Sequence, residues 1–310
     1  MISYEKVKDN TTLLLALTSL VPLEFATLLI YFQQAWDEYI CTNYIDRAKR
    51  TRKYGAGRKP RILLKTEDKL LFILYYFKTY PLQSVIAFNF GMSQSHANEW
   101  IYKLSTVLRM TLDKLGQIPE RDARHLIAAL ENIAYDEELA IDGTERRCQR
   151  PKTSEKQKEY YSGKKKAHTL KNNVIVTVQE RKVKYQSETY PGKKHDKKIC
   201  DEEKPTYPEG VILNKDTGFQ GYEPEGVVTQ QPTKKPRGGE LTRAQKNQNF
   251  IFSSVRIVVE HVICGIKRCR ILKDVFRNTK AKFDDLVMEI GCALHNFRTE
   301  IRSYFQINFR

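Results

Sequence analysis

The sequence predicts a chain in two parts, an all-α N-terminal region over residues 1–125 and an α/β domain over 126–310, and three observations predict it. Apolar residues recur at helical spacing through the first part. From about residue 126, Val- and Ile-rich runs that read as strands mix with helical segments. The length of 310 residues exceeds one average domain and allows each part its own core.

In the first part, "TLLLALTSLVPLEFATLLIYF" (12–32) is the one segment that imitates a membrane span. Pro22 and Glu24 interrupt it, the order of a signal peptide is absent, and Phe25, Leu28, Leu29, Phe32 and Trp36 recur on one helical face. A core-facing helix is expected, and no membrane. Downstream, "RAKRTRKYGAGRKPR" (47–61) suits a basic arm that contacts phosphates, or a solvated linker. Thr66 is a cap candidate for a helix that breaks at Tyr80 and Pro81.

"PLQSVIAFNF", "GMS" and "QSHANEWIYKL" then have the layout of a helix-turn-helix over about 81–104, with Ser93 capping the second helix. Ala97, Ile101 and Leu104 would face the core. Gln94, Ser95 and Asn98, with His96, would face outward near the helix N-terminus, where such helices meet base edges. An ordinary αα-hairpin has the same pattern.

In the second part, "EELAIDGTERRCQRP" carries an apolar run that ends on Asp142. "AHTLKNNVIVTVQE" and "RKVKYQSETY" read as strands joined near 180–182, and "HDKKICDEEK" as a short helix with Asp196 as its N-cap. "VILNKDTGFQGY" (211–222) reads as a strand that stops on Asp216 before a Gly-rich turn. Alone, that stretch fits a turn acid and a carboxylate aimed out of the sheet equally well. An irregular segment with Pro224, Pro232 and Pro236 follows, then two long helices, "FSSVRIVVEHVICGIKRCRIL" and "FDDLVMEIGCALHNFRTEIRSYF".

Lys and Arg number 53 against 37 Asp and Glu, a net charge of +16, which favours a polyanionic partner and DNA or RNA foremost. The six cysteines show no CxxC pair and no zinc-finger spacing, so reduced thiols and no structural zinc are expected. On the penultimate helix Arg256, Glu260 and Lys267 share the side opposite Val255, Val258, Val259, Val262 and Ile266. Two strand-end aspartates and this helical glutamate are the donor set that two Mg²⁺ ions use in phosphoryl displacement. Taken singly, Asp142 reads as a turn acid and Glu260 as an ion-pair partner of Arg256.

The blocks "AIDGTERRCQRP", "YYSGKKKAHTLKNNVIV", "DTGFQGY", "KKPRGGELTRAQKNQN" and "RIVVEHVICGIKRCRIL", in this order, resemble those of DDE transposases of insertion sequences, in the group of the IS-five and Harbinger elements. The resemblance runs from about 60 to 300 and implies an RNase H-like catalytic domain behind an all-α helix-turn-helix domain. It implies catalytic, metal-holding Asp142, Asp216 and Glu260, and Mg²⁺ or Mn²⁺ as cofactor, two ions. Related families carry a Tyr, Arg, Glu, Lys signature; Arg256, Glu260 and Lys267 fit its spacing, but Ser253 stands where the Tyr would be. Arg146, Arg147, Arg150, Lys164, Lys165, Lys166, His168 and Lys171 are expected to form a basic belt on DNA phosphates, with Arg256 and Lys267 beside them.

The implied function is a transposase that binds terminal inverted repeats and performs metal-dependent cleavage and strand transfer. Its partners would be element ends and target DNA, and a homodimer would form the synaptic complex. It would act in the nucleoid of a bacterial cytoplasm, or in the nucleus of a eukaryote. Two other readings stay open: a retired transposase acting as a DNA-binding regulator, and an RNase H-like nuclease without strand transfer.

Overall fold

The computed structural model describes residues 1–45, 62–131, 133, 137–236 and 238–305. The basic stretch 47–61 lies outside the described residues. By compactness the chain divides into Met1–Ile118 with Arg268–Leu272 and Leu286–Arg310, and Pro119–Lys267 with Lys273–Asp285.

The first unit is helical. Its elements are α1 (Tyr4–Val7), α2 (Thr11–Thr18), α3 (Pro22–Ile40), α4 (Thr66–Thr79), α5 (Gln83–Phe90) and α6 (Gln94–Lys114), with a π-helical turn at Cys41–Ile45 and a 3₁₀ turn at Arg270–Leu272. The apolar segment 12–32 becomes two helices rather than one. Ser19 takes a left-handed conformation (φ 67°) and Pro22 opens α3, so the axes of Thr11–Thr18 and Pro22–Tyr44 differ by 55°. Phe25, Leu28, Phe32 and Trp36 are buried as their spacing requires, with Leu29 half-buried.

The cap of α4 falls one residue before the expected Thr66, at Lys65; Thr66 instead donates its hydroxyl to Gln33. Tyr80, at φ 45°, ends α4. Ser93 caps α6 by accepting from the His96 N–H at 3.3 Å, and Ala97, Ile101 and Leu104 are fully buried. The helix runs to Lys114, beyond the expected end near 104, because Val107, Leu108, Thr111 and Leu112 continue the buried stripe. The last helix, α11 (Phe283–Tyr304), belongs to this unit from Leu286 onward. There it supplies Glu289 to a forked Arg109 pair, Asn296 to the Gln117 carbonyl, and Arg302 to Glu24, whose side chain is fully buried.

The second unit is built on a seven-stranded sheet: β1 (Leu139–Arg147), β2 (Tyr161–Ser162), β3 (Ala167–Thr177), β4 (Val183–Gln186), β5 (Tyr190–Pro191), β6 (Ile212–Lys215) and β7 (Val228–Gln230). Central β1 pairs antiparallel with β3 and parallel with β6, and β6 pairs parallel with β7. Across the sheet the order β4, β3, β1, β6, β7 gives three antiparallel strands followed by two parallel ones, the α/β arrangement of an RNase H-like domain. The helices are α7 (Leu126–Ala129), α8 (Ser154–Tyr160), α9 (Asp196–Glu203) and α10 (Arg243–Ile266). Leu139, Ile141, Ile175, Leu213 and Phe219 form the core.

Three local expectations change. β1 does not stop at Asp142; residues Gly143–Arg147 go on pairing with Thr169–Asn173. The Pro-rich segment contains β7, because Ile212, Leu213 and Asn214 offer it a parallel edge. α10 starts nine residues ahead of the expected Phe252, where Thr242 and Gln245 form a capping box. By length and composition α10 is apolar enough to cross a membrane. In this unit its Val259, Val262 and Ile266 are buried.

Candidate active site

Asp142 sits inside β1, opposite Val174, and its Oδ1 accepts from the Gly143 N–H at 2.7 Å. Burial pushes its carboxyl up to about 6; the Gly143 hydrogen bond and Arg256 pull it down, and Asp216 and Asp196 push it up. A carboxylate that loses hydration beside other acids binds a cation more readily than it stands alone.

Asp216 follows β6, and β6 lies parallel beside β1 with Lys215 level with Ile141. Asp216, one residue past Lys215, therefore comes level with Asp142 inside the neighbouring strand, and with Arg256, Asn214 and Val259 the two aspartates line one cavity of about 10 Å³, close to a single water in size. Asp216 is also a turn acid: its Oδ1 accepts from the Thr217 N–H at 2.7 Å and caps the 3₁₀ turn Thr217–Phe219. Both readings of the stretch 211–222 hold at once. The sharp bend comes at Gly221, whose φ is +79°.

Arg256 of α10 reaches 3.4 Å from Asp216 and 3.8 Å from Glu260. Glu260 does not join the aspartates. It lies one turn along α10 with its side chain 60% exposed, held by Arg256. Among the described residues no three His, Cys, Asp or Glu side chains are close enough to hold a metal. At the N-terminus of α6, Gln94, Ser95 and His96 are exposed and Asn98 is half-buried.

With this geometry established, the relatives decide the family. Residues 141–296 match the DDE superfamily endonuclease family, and residues 63–113 match the helix-turn-helix of DDE superfamily endonuclease. The chain belongs to the DDE superfamily endonucleases. A probable transposase for insertion sequence element IS702 of Microchaete diplosiphon is 26% identical over 257 residues, 83% of this chain and 88% of that protein. No solved structure matches the chain. The resemblance to DDE transposases of insertion sequences holds, and the protein is an enzyme that acts on DNA.

DDE superfamily endonucleases generally use divalent metal ions. The donor set at Asp142 and Asp216 fits such an ion: hard oxygen ligands, one of them desolvated, face a common cavity that also draws in a guanidinium.

Two members of the expected belt of this DDE endonuclease do not reach its surface. Arg146 is 1% exposed and donates to Asn172 Oδ1 at 2.8 Å, Thr189 Oγ1 at 3.3 Å and the Asp284 carbonyl at 3.1 Å; it ties the sheet together from inside. Lys171 is also buried. Its Nζ donates to the Lys194 carbonyl at 2.8 Å and lies 3.1 Å from Asp196 and 3.5 Å from Glu145. Paired across β1 and β3, Arg146 lies opposite Leu170 and Lys171 opposite Glu145, so the two cations are buried on opposite faces of the sheet, and charge alone hid that.

The others differ in exposure. Arg147 is exposed at the end of β1, and Lys164, Lys165 and Lys166 are exposed in the hairpin between β2 and β3. His168 is half-buried, edge-on to Tyr161 with centroids 5.7 Å apart. Half-buried Lys267 donates to the Glu145 carbonyl at 3.2 Å; burial lowers its pKa, and neighbouring Lys165 and Arg146 lower it further.

Sequence reasoning misjudged Asp196. His195, not Asp196, is the N-cap of α9, and Asp196 opens the helix with no side-chain cap bond. Its carboxylate instead lies under the aspartate turns. A Cβ on Gly143 would meet Asp196 Oδ1 at 2.7 Å, and one on Gly218 would meet Oδ2 at 3.5 Å. Asp142 and Asp216 are each followed within two residues by a glycine that makes room for this third acid. The signal available in the sequence was a glycine one or two residues after each aspartate, "DG" and "DTG".

Proposed function

We propose that the protein is a transposase that binds the terminal inverted repeats of its element and performs metal-dependent strand cleavage and strand transfer. The observation that carries this reading is the pair Asp142 and Asp216, on adjacent parallel strands, opening on one cavity with Arg256. Asp142, Asp216 and Glu260 would hold two Mg²⁺ or Mn²⁺ ions, which activate the attacking oxygen and neutralise charge on the scissile phosphate. Arg256, 3.4 Å from Asp216 and 3.8 Å from Glu260, would hold both acids in place and offer its charge to the DNA.

Arg147, Lys164, Lys165, Lys166 and Lys267 meet backbone phosphates, with His168 beside them. Gln94, Ser95 and Asn98 read base edges. DNA binding belongs to the helical part, residues 1–125, and chemistry to 126–310. Two ends and a target in one reaction call for a homodimer in a synaptic complex. The enzyme would work at the nucleoid of a bacterium or in a eukaryotic nucleus.

One observation favours a second reading. Glu260 stands off the cavity in an ion pair with Arg256, which suits a retired transposase that regulates by binding DNA. The test uses wild type and Asp216→Asn, since Asn keeps an acceptor for the Thr217 N–H. Both are incubated with Mg²⁺ and a labelled duplex carrying the DNA that flanks this reading frame. Breaks at a repeat boundary from wild type alone support the transposase, and products joined to target exclude a nuclease without strand transfer. Binding without breaks from either protein selects the regulator.

A further inference from the structure

A cleft of about 710 Å³ in the second unit lies where the chain leaves β1, past Asp142. Its walls are the chain just after β1, helix α8 and the loop that leads into α11. Arg150, Lys152, Lys156, Lys280 and Lys282 line it against a single acid, Asp284. Lys152, Lys156 and Lys282 form no ion pair among the described residues. The Cys148 thiol at its floor is pushed up to about 11 by burial and is no nucleophile there.

The cleft is built rather than incidental. The Phe276 N–H donates to the Arg147 carbonyl at 2.8 Å and the Gln149 N–H to the Phe276 carbonyl at 3.0 Å, which fixes the loop to the strand. Phe283 stacks near Phe276 at 6.4 Å. On the opposite wall Gln157 of α8 accepts from Arg150 and donates to the Pro151 carbonyl, both at 2.8 Å. Lys282 sits in a left-handed conformation at φ 60°, where a glycine would be easier by about 1 kcal/mol. Backbone geometry therefore does not explain a lysine at that place.

We propose that this cleft grips the sugar-phosphate backbone of the DNA whose scissile phosphate lies at Asp142 and Asp216. Cys148 lies six residue steps along the chain from Asp142, about 20 Å at the rise of a strand. A DNA strand advances about 3.4 Å per nucleotide, so the contact falls about six base steps from the cut. The cleft thus sets the angle and register at which the duplex leaves the active site. This inference rests on DNA being the substrate, though not on strand transfer.

The test compares full-length wild type with Lys152→Gln/Lys156→Gln/Lys282→Gly, three exposed positions whose exchange leaves the core intact. Binding to a nonspecific duplex is titrated against salt. The slope of log K on log salt should fall by about one for each phosphate contact removed. Ethylation interference on the cleaved duplex should lose its signal about six steps from the cut and keep the signal at the cut. A variant with wild-type melting, wild-type slope and wild-type interference would overturn the proposal even if cleavage is normal. A wild type that never cleaves but loses slope in the variant keeps the cleft and overturns only the transposase reading.

Discussion

Asp142→Asn should make the metal-free protein more stable while abolishing cleavage. Asn keeps Oδ1 as the acceptor for the Gly143 N–H but carries no charge into the desolvated site. The native carboxyl rises from 3.8 to about 6, which at about 1.4 kcal/mol per pKa unit corresponds to about 3 kcal/mol against the ionised form. For an acid whose folded pKa exceeds its unfolded one, the folded state binds more protons between the two values, so stability falls as pH rises through that window. The loss is complete above the folded pKa, about 3 kcal/mol at about pH 7.5, and shrinks to about 1 kcal/mol at about pH 4.5. Partial solvent contact at the cavity mouth lowers the expected gain at neutral pH to about 1–2 kcal/mol. Urea unfolding of EDTA-treated wild type and variant at the two pH values reads this difference. A variant no more stable than wild type at neutral pH, or a gain that does not shrink on acidification, would refute the desolvated carboxylate.

Other substitutions probe the rest of the molecule. Gly143→Ala drives a methyl to 2.7 Å from the Asp196 carboxylate; a destabilisation of about 1–3 kcal/mol in thermal or chemical melts is expected, relieved when Asp196→Gly is added. Arg146→Gln should lower stability and leave the salt dependence of DNA binding unchanged, because its guanidinium is buried; a shallower salt slope would return Arg146 to the DNA surface. Asn98→Ala should weaken specific binding by about 1–3 kcal/mol and nonspecific binding little; equal losses on both duplexes would place Asn98 away from base edges. Arg302→Met strands the fully buried Glu24 carboxylate, and a loss of about 3–5 kcal/mol by denaturant titration is expected.

What the sequence made legible were features with a short-range cause. Ser93 as a cap, the break at Tyr80 and Pro81, and the buried stripe of Ala97, Ile101 and Leu104 follow from hydrogen bonding and periodicity within a few residues. The placement of Asp216 at a strand end is equally local. Asp142 was harder: its strand continues because Asn172 and Asn173 of β3 lie opposite, a pairing between residues far apart in the chain. The roles of Arg146 and Lys171 were hidden for the same reason, since a cation's value depends on which face its strand presents and what that face meets. Asp196 was misread because a helix start explains an acid cheaply, and only the fold shows that Gly143 and Gly218 converge on it. The Arg256–Glu260 pair follows from helical spacing, yet that spacing carries no information about the distance to β1 and β6.

The helical unit takes its last segment, Leu286 onward, from the far end of the chain. On a ribosome this fixes an order of maturation. When α6 emerges, Arg109 has no Glu289, Gln117 has no Asn296, and Glu24, bonded only to the Val21 N–H, has no cation inside an unfinished core. All of the sheet, with Asp142, Asp216 and Glu260, is translated before those partners appear. A nascent chain therefore holds Asp142, Asp216 and Glu260 while the helical unit is still open. A stop codon in α11 leaves every strand in place and denies the helical unit its closing segment.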